Sequence, residues 1–404
     1  MGSTLGPAAR LEAVCDPVIP QLGEWLRQRP DTLSLAQGMV DWAPPEGVRQ
    51  AVREALEAPG VALDRYGATW GEPELLEVVT RQLQGLHGVD LDGALPLVTT
   101  GSNLAFAVLA QVICDPGSEV ILPLPAYFNH EMAVRLAGGL PVGVEAGPVP
   151  DPEALAAAIT PRSRAIVTIS PNNPSGAVIP EAVLRAINGL CAARGLLHIS
   201  DEAYAPFVHG RAPHFSPGSI SGAAAHTATL HSLSKTYGMA GWRMGYAAVP
   251  EVLRPALAKV LDTLQICPTA ISQRAARAAL STDPAWVGER VATLRPRRAQ
   301  LLAAVEAWRQ EGLPVRLWVE PEGAFYGLLV VDGLEAGARC GVDSDGLMEA
   351  LVRMEGVATV SGQAFGLTIP GAAVLRLSYG MLSGQPLTQA LERLGAGLRR
   401  VCGP

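Results

Sequence analysis

Short apolar runs alternate with longer stretches of helical periodicity through the middle of the chain. Runs rich in apolar and β-branched residues fall at Pro96–Thr100, Glu119–Leu124, Ala165–Ser170, Leu196–Ser200, Thr227–Ser232 and Gly245–Val249, and they predict strands. Helical patterns separate several of them, at Leu104–Cys114, Asn129–Ala137, Pro152–Ile159 and Pro180–Arg194. Strands joined by helix-length crossovers build a mostly parallel sheet covered on both faces. The nearly unbroken apolar character of Ala165–Ile169 suits a strand buried on both sides.

Beyond about Arg295 the pattern changes. A helical stretch at Val291–Gln310 precedes strand-like pieces at Val315–Val319 and Gly327–Val331, a helix near Asp345–Met354, a strand at Val374–Leu377 and a closing helix. The expected class is α/β. A large domain spans residues 46–292, and a smaller α+β domain is built from both chain ends, residues 1–45 and 293–404.

Composition narrows the function. The chain has 404 residues, 49% of them hydrophobic and 17% charged, with 31 basic against 38 acidic residues for a net charge of −7. That balance excludes wholesale disorder. Without a Lys/Arg run there is no nucleic-acid footprint, and no apolar run reaches the roughly 18 residues of a membrane-spanning helix. The first fifteen residues hold no apolar signal core. Cys15, Cys114, Cys191, Cys267, Cys340 and Cys402 are scattered without a CxxC pair, which suits reduced thiols better than a disulfide framework or zinc site. The expected location is cytoplasmic. The basic residues are 29 arginines and only two lysines, Lys235 and Lys259.

One of those lysines lies in the most motif-like stretch, Ser232-Leu-Ser-Lys235-Thr-Tyr-Gly238-Met-Ala-Gly241-Trp-Arg243-Met-Gly245. Lysine is the side chain that forms a Schiff base with an aldehyde when neutral. Ser232 and Arg243 suit a phosphate, because an arginine fork matches its oxygens. A solvated loop lysine is the plain alternative. Asp201-Glu-Ala-Tyr204 follows the run Leu196–Ser200, so Asp201 stands at a strand's carboxyl end, where open α/β sheets bind ligands. Its alternative is a helix or turn cap. Pro171-Asn-Asn173-Pro-Ser-Gly176 reads as a tight turn, with Asn173 available to a ligand. Gly101-Ser102-Asn103 opens a helix, either as an ordinary cap or as an anion site using its free N–H groups. Tyr127 is either a core aromatic or a ring to stack on a flat ligand.

Together these stretches resemble the pyridoxal-phosphate enzymes of the class I/II aminotransferase family, fold type I, over about residues 33–380. The resemblance implies a seven-stranded sheet in the large domain and pyridoxal 5′-phosphate as cofactor. Lys235 is then the Schiff-base lysine and proton shuttle, and Asp201 pairs with the ring nitrogen. Tyr204 and Asn173 bond the ring oxygen, Tyr127 stacks on the ring, and Ser102, Asn103, Ser232 and Arg243 hold the phosphate. Tyr66, in Arg65-Tyr66-Gly67, resembles the tyrosine that reaches the partner subunit's phosphate, implying a homodimer with shared active sites. Arg376, in Val374-Leu-Arg-Leu-Ser-Tyr-Gly380, resembles the arginine that grips the substrate α-carboxylate. Gly38 and Asn173 belong to the same substrate site, and Trp42 is a candidate pocket wall or packing residue.

The chain departs from the family at Tyr127, where other members carry tryptophan or phenylalanine, and at Gly362–Gly366, which lacks a preceding proline. No second arginine for a distal carboxylate is apparent. Arg274 and Arg277 read as helical and structural. The implied reaction is transamination between a neutral or aromatic L-amino acid and a 2-oxo acid. The alternative is β-elimination or other α-carbanion chemistry on the same fold. A ligand-sensing regulator would need an appended DNA-binding module, and the segment before Leu33 is too short and too weakly basic for one.

Overall fold

A seven-stranded sheet positions almost everything that follows. The computed structural model describes residues 6–210, 213–334 and 343–402, and Cys340 lies outside them. The first strand, β1 (Leu33–Ser34), stands apart from this sheet. The central strands are β2 (Ala94–Thr99), β3 (Glu119–Leu124), β4 (Leu140–Glu145), β5 (Ser163–Ile169), β6 (Leu197–Asp201), β7 (Thr227–Ser232) and β8 (Gly245–Pro250), in spatial order β2-β8-β7-β6-β5-β3-β4. Within the sheet β8 alone runs against its neighbours. The other pairs from β7 to β4 are parallel.

Alternation along the strands gives the sheet two apolar faces. Ala165 and Val167 of β5, with Val120 and Leu122 of β3, pack under the helix Ser102–Ile113. Ile166 and Ile121 point the other way, against Leu184-containing helix Glu181–Arg194 through Ile187 and Cys191. Toward the β2–β8 edge, Val98, Tyr246 and Ala248 meet the helices Pro73–Gly85 and Ala270–Leu280.

Two sequence expectations change. Strand β4 was not anticipated, because Leu-Pro-Val-Gly-Val-Glu carries a proline and a glycine and is only half-buried. It is an edge strand pairing only with β3, the place where a sheet tolerates proline. The expected helix Val291–Gln310 is really two, Pro284–Ala292 and Leu294–Gln310, meeting at Thr293. Pro296 accounts for the break, since its ring would collide with the Ala292 carbonyl four residues back.

The second sheet comprises β9 (Val315–Leu317), β10 (Tyr326–Asp332), β12 (Val360–Ser361) and β13 (Ala372–Ser378), in antiparallel order β12-β13-β10-β9. The short β11 (Val357–Ala358) instead pairs in parallel with β1. The amide of Ser378 donates to the Leu35 carbonyl at 2.7 Å, so the chain start is fastened to the C-terminal region. Helices Ser344–Glu355 and Gln385–Cys402 cover this unit through Leu347, Leu351, Leu387 and Leu394. Cys15, Cys114, Cys191 and Cys267 are free thiols. No helix among the described residues is long and apolar enough to cross a membrane.

Candidate active site

The carboxyl ends of the parallel strands deliver their side chains into one cleft. Past β2 come Ser102 and Asn103, past β3 Tyr127, past β5 Asn173, at the end of β6 Asp201 and Tyr204, and at and past β7 Ser232 and Lys235. Arg243 reaches the same place because β8 runs backwards and begins at that edge. Gly38 and Arg376 enter from the chain ends, and Tyr326 of β10 completes the wall.

Lys235 lies in a four-residue helix, Leu233–Thr236, capped by the Ser232 hydroxyl, which accepts from the Ser234 amide at 3.2 Å. Its Nζ donates to the Gly38 carbonyl at 2.5 Å. Burial, and then the charges of Arg243 and Arg376, lower its pKa to about 8, because each disfavours the ammonium form. Arg243 adopts a left-handed conformation with φ 54°, uncommon for a side chain of its size. Glycine makes the corner possible. A Cβ on Gly101 would lie 2.7 Å from Arg243 Nη2, and one on Gly245 would lie 2.6 Å from the Ser102 nitrogen.

Asp201 is buried, accepting from the Ala203 amide at 3.1 Å on one oxygen and meeting His130 Nε2 at 3.1 Å on the other. His130 is itself held, stacked on Phe106 and set edge-on to Tyr127. Asn129 Nδ2 donates to the Tyr127 hydroxyl at 2.8 Å, while burial and the Asp201 charge push that phenol's pKa upward. The hydroxyls of Tyr204 and Tyr326 meet at 2.7 Å. Burial pushes Tyr204 well above the usual tyrosine range and Tyr326 up to about 12, so both remain neutral donors.

Arg376 is 2% exposed. Its Nη1 donates to Asn173 Oδ1 at 3.1 Å and its Nη2 to the Ala36 carbonyl, while its Nε is buried without a partner. The guanidinium lies over the rings of Tyr326 and Phe365. Among the described residues no carboxylate pairs with it. Asn173 is aimed by its turn, in which Asn172 Oδ1 accepts from the Ser175 amide and hydroxyl.

The chain as a whole has counterparts among known proteins. Residues 30–394 match the family "Aminotransferase class I and II". The chain belongs to that family. It is 36% identical over 385 residues, covering 93% of this chain and 94% of the relative, to a probable aspartate/prephenate aminotransferase of Thermus aquaticus. It is 32% identical over 395 residues, 95% and 94% of the two chains, to an aromatic aminotransferase of Arabidopsis thaliana. The aspartate aminotransferase of Thermus thermophilus with maleate superposes with a TM-score of 0.86 at 34% identity, covering 98% of this chain and 100% of that one.

In this aminotransferase two residues singled out from the sequence lie outside this chain's own cleft: Tyr66, expected to serve the partner subunit's site, and Trp42, expected as pocket wall or packing residue. Tyr66 is 84% exposed and outside the cleft. Trp42 does not line it either, and stacks instead on Phe207. Sequence reasoning passed over Tyr326, which lines the cleft, and His130, which is buried behind it against Asp201. His130 lies three residues beyond Tyr127, a helical spacing that puts both on one side. Tyr326 carries no local signal and is placed only by the packing of β10.

Proposed function

We propose that this aminotransferase works with pyridoxal 5′-phosphate, exchanging the amino group of a neutral or aromatic L-amino acid with a 2-oxo acid. The observation that carries the reading is a buried, partly neutral Lys235 sharing one cleft with Asp201 and with an Arg376 that has no carboxylate partner among the described residues.

The residues present fit the cofactor. Glycine at 101 and 245 leaves the Arg243 guanidinium and the first amides of helix Ser102–Ile113 clear for a phosphate, where the helix dipole also favours an anion. Ser102, Asn103, Ser232 and Arg243 would hold that phosphate, with Asp201 at the ring nitrogen, Tyr204 and Asn173 at the ring oxygen, and Tyr127 against the ring face. When bound, the group supplies an aldehyde for amine capture and an electron sink that acidifies the substrate's Cα–H. Lys235 Nζ is the base that takes the Cα proton and returns it. His130 is a positioning residue that keeps Asp201 turned toward the cleft. Arg376 fixes the α-carboxylate, which supplies the charge partner its buried guanidinium lacks, and Gly38 lets backbone approach the same group.

A pH dependence follows for loading of the apoprotein with pyridoxal phosphate. With a pKa of about 8, about a tenth of Lys235 is neutral at pH 7, roughly 300 times the fraction of an ordinary lysine. The rate of covalent loading, followed by absorbance, should rise about tenfold per pH unit below about 8 and level off above it. A rise continuing to pH 10 would contradict this.

Donor preference rests on charge. Lys235, Arg243 and Arg376 are the cations lining the cleft, and each already has a task. Arg274 is paired with Glu72 at 3.1 Å. Among the described residues a distal carboxylate therefore finds no dedicated cation, and kcat/KM for phenylalanine should exceed that for aspartate by at least about tenfold. Equal or better use of aspartate would overturn the substrate class.

The same reading makes exposed Tyr66 the residue that reaches the partner subunit's site in a homodimer. It also divides the chain at 45/46 and 292/293, supported by the pairing of β1 with β11 and by the helix break at Thr293. The location it fits is the cytoplasm.

A further inference from the structure

On the face of β7 opposite Ser232, a second cluster of chemistry-bearing side chains lies apart from the cleft. His87, His231 and Glu202 bring their ligand atoms within 4.8 Å of one another. His87 follows the helix Pro73–Gly85, Glu202 follows β6, and His231 lies within β7. The arrangement is unusual in what it leaves unmet. His231 is 3% exposed, and among the described residues neither of its ring nitrogens has a hydrogen-bond partner. Glu202 is 1% exposed, and among the described residues no lysine or arginine pairs with it. Its oxygens meet His214 Nε2 at 2.9 Å and accept from the Ser216 hydroxyl at 2.8 Å. Buried polar atoms are normally satisfied, and a buried carboxylate normally has a strong cationic partner.

We propose that His87, His231 and Glu202 form a binding site for a divalent transition metal of the zinc class, separate from the catalytic cleft. Two imidazoles and one carboxylate are a borderline-soft donor set that suits zinc, whereas calcium and magnesium call for oxygen ligands. Tetrahedral zinc with bonds of about 2.1 Å spaces its ligand atoms about 3.4 Å apart, so the group needs to contract only modestly. The fourth position falls to a water or to His214. Neither nitrogen of His231 is engaged by another described residue, which leaves it free to turn a lone pair toward a metal. The surroundings resemble outer-shell support. The Tyr246 hydroxyl lies 3.1 Å from His87 Nε2, His231 stacks on the Tyr246 ring, and Ser216 and His214 orient the carboxylate.

The ion would act as a clamp. Glu202 directly follows Asp201, and His231 precedes Lys235 by four residues. A metal between them ties β6, β7 and the end of the Pro73–Gly85 helix together behind the cleft.

The test is zinc retention. The full-length protein, loaded with cofactor, is equilibrated with zinc, gel-filtered and analysed for metal content. About one zinc per chain is expected, falling below about a tenth in His231→Phe, which keeps an aromatic ring against Tyr246, and dropping sharply in His87→Gln. Cobalt added to the wild-type protein should give the intense visible bands of a tetrahedral site, a readout that stands if the variants fail to fold. Lys235→Ala should retain the zinc, so failure of the cofactor reading would leave this one intact. No retained zinc and no cobalt bands in the wild-type protein would overturn the proposal. Zinc held equally well by folded His231→Phe would overturn it too.

Discussion

Replacing Lys235 with alanine should lower transamination turnover by at least about 10⁴-fold and abolish the borohydride-trapped adduct with pyridoxal phosphate. The expectation rests on how few groups the cleft offers for moving a proton. Asp201 is engaged by His130 and the Ala203 amide, and the tyrosine pair Tyr204 and Tyr326 is held neutral by burial. Guanidinium groups such as those of Arg243 and Arg376 offer no base. Lys235 alone combines a pKa near the working range with a place at the centre of the cleft. The other lysine is a built-in control. Lys259 is exposed on the helix Arg254–Leu264, remote from the lining residues, so Lys259→Ala should leave both turnover and adduct intact. An adduct surviving in Lys235→Ala and lost in Lys259→Ala would defeat the assignment.

Arg376→Lys should lower kcat/KM for amino-acid donors by about 10²-fold, the effect of replacing a two-pronged grip on a buried carboxylate by a single, displaced point charge. Lysine keeps the charge and loses the planar fork, so the loss reports geometry. The guanidinium is pinned by Asn173, the Ala36 carbonyl and two aromatic rings, and an ammonium cannot occupy that frame. The slow reaction of a simple primary amine, which has no carboxylate to grip, should change less than about threefold. If both donors suffered equally, Arg376 would be supporting the fold and not the substrate.

Much of this site could be read along the chain because its residues follow apolar runs directly. Ser102, Asn173, Asp201 and Ser232 each sit where a strand ends, and a parallel sheet brings such ends to one edge. Other parts depend on distance through space. The Asp201–His130 contact joins residues on different strand–helix units, and Tyr326 reaches Tyr204 only because β10 packs against the central unit. Strand β4 was hidden for a different reason. An edge strand with proline and glycine and a half-exposed surface lacks the apolar run that marks its neighbours. The unbroken helical pattern around Thr293 concealed a backbone collision at Pro296, which periodicity alone does not register.

The most direct test of the account is a half-reaction followed by visible absorption. Purified enzyme loaded with pyridoxal phosphate is mixed with phenylalanine in the absence of any 2-oxo acid, and a 2-oxo acid is then added. The cofactor band should be lost with the first addition, one equivalent of phenylpyruvate should form per site, and the band should return with the second. A band that persists with phenylalanine and every other amino acid supplied, or ammonia released in place of oxo-acid-dependent recovery, would contradict it.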